Sequence, residues 1–241
     1  MATVMPKTAS WFTYFPEDYR WSSAVCGILS SAPYGGSDIG EVDRACRPLR
    51  KHLGDDEAWF EAWRAEGDRV RAVARAAEER DRRFTASAAY LRACNYYQMA
   101  ERFRTPKDPK ALETYREGVE CFHRFARLTD RPRIEVVEVP FADGSLPSYF
   151  VHAENTDVAR RPCVVFFDGV VQRMRCAFLL THGAEDEQVP MADAQALFDA
   201  VGSRDKTFRV FTPEEGGAQH CQRDYLTHGA SVIFDWLAEK L

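Results

Sequence analysis

Two short segments hold the residues whose types and order could do chemistry. The first is Thr181-His182-Gly183-Ala184-Glu185-Asp186-Glu187-Gln188-Val189-Pro190, at the end of an apolar run. The second is Glu214-Glu215-Gly216-Gly217-Ala218-Gln219-His220-Cys221, just past the run Thr207–Thr212. A carboxylate after one strand and a histidine after the next supply two thirds of a nucleophilic triad. The histidine takes a proton from a nucleophile, and the carboxylate fixes its tautomer and stabilises the imidazolium. Asp186 is the candidate acid and His220 the candidate base. Gly216 and Gly217 would let the second loop fold tightly enough to aim the ring. A plainer alternative stays open: Asp186 caps the following helix and His220 is a surface loop residue.

The elements that must position these residues change character near residue 130. Residues 1–130 read as helical. Trp21–Ser31 is a short apolar helix, and Ser37 or Asp38 can cap the next one, with Glu41 in its first turn. Asp55-Asp56-Glu57 opens the longest helix. Its apolar positions Ala58, Trp59, Ala62, Trp63, Val70, Val73 and Ala74 recur at three and four residues, on one face. Helices at 85–104 and 109–128 follow, with Pro109 suited to a first turn. Among the dense aromatics, Tyr96 and Tyr97 are adjacent and cannot share a face, so at most one is expected in the core.

Residues 131–241 switch to a period of two and then to buried runs. Arg133–Pro140 and Ser148–Ala153 read as a hairpin turning at Asp143-Gly144. Cys163–Phe167 and Cys176–Thr181 read as strands buried on both faces. A helix at 191–201, a strand at 207–212 and a closing helix from about Asp224 complete an α/β layer, whose sites lie at strand carboxyl ends. The expected fold is α/β: an N-terminal helical cap over 1–130, then an incomplete sheet over 131–241.

Composition excludes several classes. The 241 residues are 45% hydrophobic and 29% charged, an ordinary globular balance. A net charge of −5 gives no basic footprint, so no nucleic-acid partner is expected. No apolar run approaches ~18 residues, so no membrane partner is expected. The first residues carry no basic region followed by an apolar stretch, so no secretory signal is read there. The seven cysteines (26, 46, 94, 121, 163, 176, 221) are odd in number and form no CxxC pair, which fits a reducing cytoplasm. Cys121-Phe122-His123 and His220-Cys221 lack a partner pair at zinc spacing, so neither a metal nor another cofactor is expected.

The segments HGAEDEQVP and EEGGAQHC, the terminal FDWLAEKL, the N-terminal WFTYFPEDYRWS and the run PCVVFFDG together resemble one family. It is the α/β-hydrolase subfamily that contains 2,6-dihydroxypseudooxynicotine hydrolase and related acyl hydrolases. The resemblance covers nearly the whole chain. It implies a helical cap ahead of the sheet and cleavage of carbon–carbon or ester bonds by a Ser–His–Asp triad. A small acyl or aromatic-ketone substrate is implied with it. Asp186 and His220 match the family's acid and base. The turn after Phe167-Asp168-Gly169 matches its oxyanion hole, which makes Gly169 and Val170 the oxyanion candidates.

One element of that family is missing. No G-x-S-x-G elbow occurs in the sequence, and Gly36-Ser37-Asp38-Ile39-Gly40 has the wrong spacing. The elbow belongs between the strands at 163–167 and 176–181, where only Asp168 to Arg175 intervene. A crossover between parallel strands needs about a dozen residues or more. The chain therefore reads as an internally shortened hydrolase, whether a deleted copy, a splice or gene-model product, or a trimmed chain, and activity is doubtful. Exposed strand edges would favour aggregation or a homodimer. Two other readings compete: a non-catalytic relative that binds a ligand or dimerises, and a helical interaction module. The latter is weakened by helix starts about 24 residues apart where tetratricopeptide repeats need ~34.

Overall fold

A computed structural model describes residues 11–141, 143–153 and 176–240. The expected strand at 163–167 and the oxyanion candidates Gly169 and Val170 lie outside the described residues. The chain forms two compact units, Ser31–Asp157 and, separately, Met1–Ser30 with Val158–Leu241. This departs from a division at 130. The hairpin goes with the helices, and the first helix goes with the α/β segment.

In the unit at 31–157, aspartates start three of the helices by accepting their free N–H groups. Asp38 opens α2 (Ile39–Leu49), Asp55 opens α3 (Asp56–Glu78) and Asp108 opens α5 (Pro109–Leu128). Between the last two runs α4 (Arg83–Glu101), which packs against both α3 and α5. That central position overturns the expectation for the tyrosine pair, because Tyr96 and Tyr97 are both fully buried. A helix with neighbours on opposite sides buries adjacent residues in different directions. Each phenol is satisfied there: Tyr96 donates to Glu41 and Tyr97 to Asp68, both at 2.7 Å. The buried stripe of α3 runs through Trp59, Trp63, Val70 and Ala74 as the spacing predicts, while Val73 faces solvent. Glu66 takes a buried place on that helix instead, paired with Arg44 at 2.6 Å.

The hairpin β1 (Ile134–Phe141) and β2 (Gly144–Val151) is antiparallel, with Ile134 opposite Val151 and Phe141 opposite Gly144. β2 starts four residues earlier than its sequence suggests. Tyr149 joins the hairpin to α5, its ring 4.6 Å from that of Phe122.

The other unit contains α1 (Tyr19–Leu29), β3 (Phe178–Gly183), α6 (Met191–Ala200), β4 (Lys206–Phe211) and α7 (Leu226–Lys240). β3 and β4 run parallel through the α6 crossover, with Phe178 opposite Lys206 and Gly183 opposite Phe211. Among the described residues β3 pairs with β4 alone. Its first four residues are half-buried, not buried on both faces, and only His182 and Gly183 are fully covered. α7 begins at Leu226, two residues later than expected, which frees Asp224 for another task.

Candidate active site

β3 ends by delivering His182, Gly183 and then a turn. The ladder continues one step past the strand through the Ala184 N–H on the Phe211 carbonyl at 2.8 Å. The chain then folds back so that one Asp186 oxygen, Oδ1, accepts the Gln188 and Val189 N–H groups at 2.8 and 3.0 Å. Asp186 is therefore not the cap of α6, whose N-cap position is Pro190. Its carboxylate holds its own turn and leaves the second oxygen for another partner.

That partner is His220. Its Nδ1 lies 2.9 Å from Asp186 Oδ2, with the Asp186 side chain 4% exposed and the His220 side chain 19%. Nδ1 donates to the carboxylate, which leaves the Nε2 lone pair as an acceptor. The structure thus brings the two candidate residues together. A cavity of about 390 Å³ adjoins the pair, lined by both of them and by Leu180, His182, Val189 and Leu197.

Burial pushes the Asp186 pKa up, but the Val189 N–H, the His220 ring and the Gln188 N–H outweigh it and hold the carboxyl below its usual value. The folded state therefore favours the ionised form. The resulting stability is fully present above the unfolded pKa near ~3.9. It is lost as pH falls through the lower folded value. Asp186→Asn is expected to lower the melting temperature at neutral pH and to flatten its decline below about pH 4. Melting curves across that range check this; an unchanged acid limb would contradict it.

The His220 loop is held by a residue that the sequence reading passed over. The Asp224 carboxylate accepts three successive amides, Gly217 and Ala218 on one oxygen at 2.8 and 3.0 Å and Gln219 on the other at 3.0 Å. Gly216 and Gly217 take φ of 82° and 84°, the left-handed turn that glycine permits. Just beyond His220, Cys221 and Gln222 also sit at positive φ, of 54° and 53°. His182 is a second imidazole missed from sequence; its Nδ1 lies 4.0 Å from the same Asp186 oxygen. In sequence it is only a polar residue closing an apolar strand.

Among the described residues no group of three His, Cys, Asp or Glu side chains is placed to hold a metal ion. Among them, too, no helix is long and apolar enough to cross a membrane.

Several named proteins are similar to this chain. The α/β hydrolase xenA of Xenoacremonium sinensis is 32% identical over 139 residues, covering 57% of this chain and 32% of that protein. The α/β hydrolase gkaG of Penicillium citrinum is 32% identical over 130 residues, 54% of this chain and 30% of its own length. The 20-hydroxy-prefusarin hydrolase FUS2 of Gibberella moniliformis is 30% identical over 116 residues, 47% and 27% respectively. The chain spans about a third of the length of the relatives it matches. No protein-family model matches it.

Proposed function

Because the chain belongs to the α/β-hydrolase superfamily, we propose that Asp186 and His220 are the acid and base of a serine-hydrolase lineage, kept in a chain without the nucleophile. The observation that carries this is the 2.9 Å bond between a carboxylate held by its own turn and a half-buried imidazole, beside an apolar cavity. In an intact triad, a serine attacks the carbonyl of an ester or ketone. His220 would take the serine proton and return it to the leaving group, with Asp186 keeping the ring in place. Here the sequence offers no elbow serine, so no acyl-enzyme forms. What remains is binding of a small acyl or aromatic-ketone ligand, with at most a slow residual turnover through water. In this reading the helical unit corresponds to the lineage's cap and β3–β4 to part of its sheet.

Self-association is a second reading, favoured by apolar side chains left in water. Phe234 on α7 is 66% exposed, and Val136, Leu146 and Phe150 of the hairpin are exposed too. A homodimer would cover such surface.

The test is covalent. A fluorophosphonate probe, which reacts with activated serines, is expected to leave the purified chain unlabelled. Hydrolysis of p-nitrophenyl esters is expected to be negligible in the same sample. Labelling at one serine per chain would overturn the reading.

A further inference from the structure

The N-terminal run WFTYFPEDYRWS carries no group for the chemistry described above, yet its structure is closely specified. The Phe15 N–H donates to Ser22 Oγ at 2.9 Å, and Ser22 Oγ donates back to the Phe15 carbonyl at 2.6 Å. Asp18 caps α1 by accepting the Trp21 N–H at 2.9 Å. Phe15 and Trp21 are buried edge to face, 5.3 Å apart. The segment is thus a self-locked start for α1, and the next residue in line is Ser23.

Ser23 is 3% exposed and touches both loops of the acid–histidine pair. Its Oγ accepts Gln188 Nε2 at 2.9 Å, from the turn that Asp186 organises. It also accepts Arg223 Nη1 at 3.0 Å, and the same nitrogen reaches the Ser23 carbonyl at 3.2 Å. Arg223 follows the 3-10 turn that His220 begins. α1 holds Arg223 a further way, through the Cys26 thiol on its carbonyl at 3.1 Å. That thiol stays protonated and able to donate, its pKa pushed up to about 11 by burial and by the nearby Asp224. Gly27 leaves room for the arginine: an added Cβ would stand 3.0 Å from its Nε.

We propose that Ser23 is a positioning residue, a buried hydroxyl on α1 that ties the Asp186 loop to the His220 loop and so fixes the distance between acid and base. The inference rests on the acid–base reading of that pair. The two loops meet directly ahead of the pair, through the Glu185 N–H on the Ala218 carbonyl at 2.9 Å and Gln219 Nε2 on Glu185 at 3.1 Å. Ser23 instead ties the segments that follow Asp186 and His220, where a drift of a few tenths of an ångström would weaken the bond between them. Two loops that share one buried acceptor move together or not at all. Residues 188 and 223 could have been tied by a side chain from either loop, but the tie comes from a helix far earlier in the chain.

The test reads the pair itself by NMR, through the His220 Nδ1 proton, which is observable while the bond to Asp186 shields it from exchange with water. In the unsubstituted chain the resonance is expected to be present. In Ser23→Ala, which removes the shared acceptor, its exchange with water is expected to rise about tenfold, because Gln188 Nε2 loses its partner and Arg223 keeps only the Ser23 carbonyl at 3.2 Å. Ser22→Ala is the control. It also deletes a buried hydroxyl on α1, but one bonded within the segment to Phe15, and it is expected to leave the exchange rate unchanged. Gln188→Ala, which cuts the acid-side arm alone, is expected to raise it less than Ser23→Ala. An unchanged rate in Ser23→Ala, or an equal rise in Ser22→Ala, would overturn the proposal and leave the acid–base reading standing. Absence of the resonance in the unsubstituted chain would instead overturn the acid–base reading, and the positioning role with it.

Discussion

Gly183→Ala is expected to separate Asp186 from His220. Gly183 is the last residue of β3, opposite Phe211 of β4. A Cβ added there would overlap the carbonyl group of Ala218 and stand 2.7 Å from the Gln219 oxygen. Carbon–oxygen contacts settle well above ~3 Å, and the atoms in the way are backbone, not a flexible side-chain end. The backbone they belong to is pinned. The Ala218 carbonyl accepts the Glu185 N–H at 2.9 Å, and Asp224 grips the amides of 217 to 219. Relief therefore requires moving the loop as a body, and His220 is two residues on. A displacement of that kind exceeds what a 2.9 Å hydrogen bond survives. The α/β unit is expected to lose about 1–3 kcal/mol from the overpacking, and the Nδ1 proton resonance of His220 is expected to disappear. Thermal unfolding and the proton spectrum check both; a variant that keeps the resonance and the melting temperature would contradict the packing described.

The second large effect lies in the helical unit. Trp59→Ala is expected to cost about 3–5 kcal/mol, against a total stability of roughly 5–15 kcal/mol for a natural domain. Trp59 is fully buried on α3. Its indole N–H donates to the Met99 carbonyl of α4 at 2.6 Å, and its ring lies 5.7 Å from Trp63 and 5.0 Å from Phe103. Alanine would open a cavity at the α3–α4 interface and leave a buried carbonyl unpaired. Trp59→Phe keeps most of the ring and loses only the donor, so its cost should be about 1–3 kcal/mol. Urea unfolding followed by circular dichroism separates the two variants. Equal midpoints for Ala and the unsubstituted residue would show that this contact is not part of the core.

Local chemistry made part of this legible from sequence. The helix starts at Asp38, Asp55 and Asp108–Pro109 can be read because capping is decided within four residues. That Asp186 and His220 meet can be read because both follow the carboxyl ends of neighbouring parallel strands. Long-range placement was not legible. Nothing local to Ser23 announces Arg223, two hundred residues later, so α1 reads as part of a helical domain when it belongs with the α/β unit. Tyr96 and Tyr97 look like one core and one surface residue until α4 proves to have neighbours on both sides. Asp224 looks like the start of the closing helix, yet its carboxylate turns back to the three amides before His220. In each case the decisive partner is distant in sequence or sits in the direction opposite to the helical reading.

The central claim is an acid–base pair without its nucleophile, and both halves can be read on one sample. The purified full chain is first shown to carry the His220 Nδ1 proton resonance, then incubated with a fluorophosphonate and weighed by intact-mass spectrometry. The account predicts that the resonance is present and that the mass does not change. A mass increase of one phosphonyl group per chain, mapped to a serine and lost in His220→Ala, would contradict it.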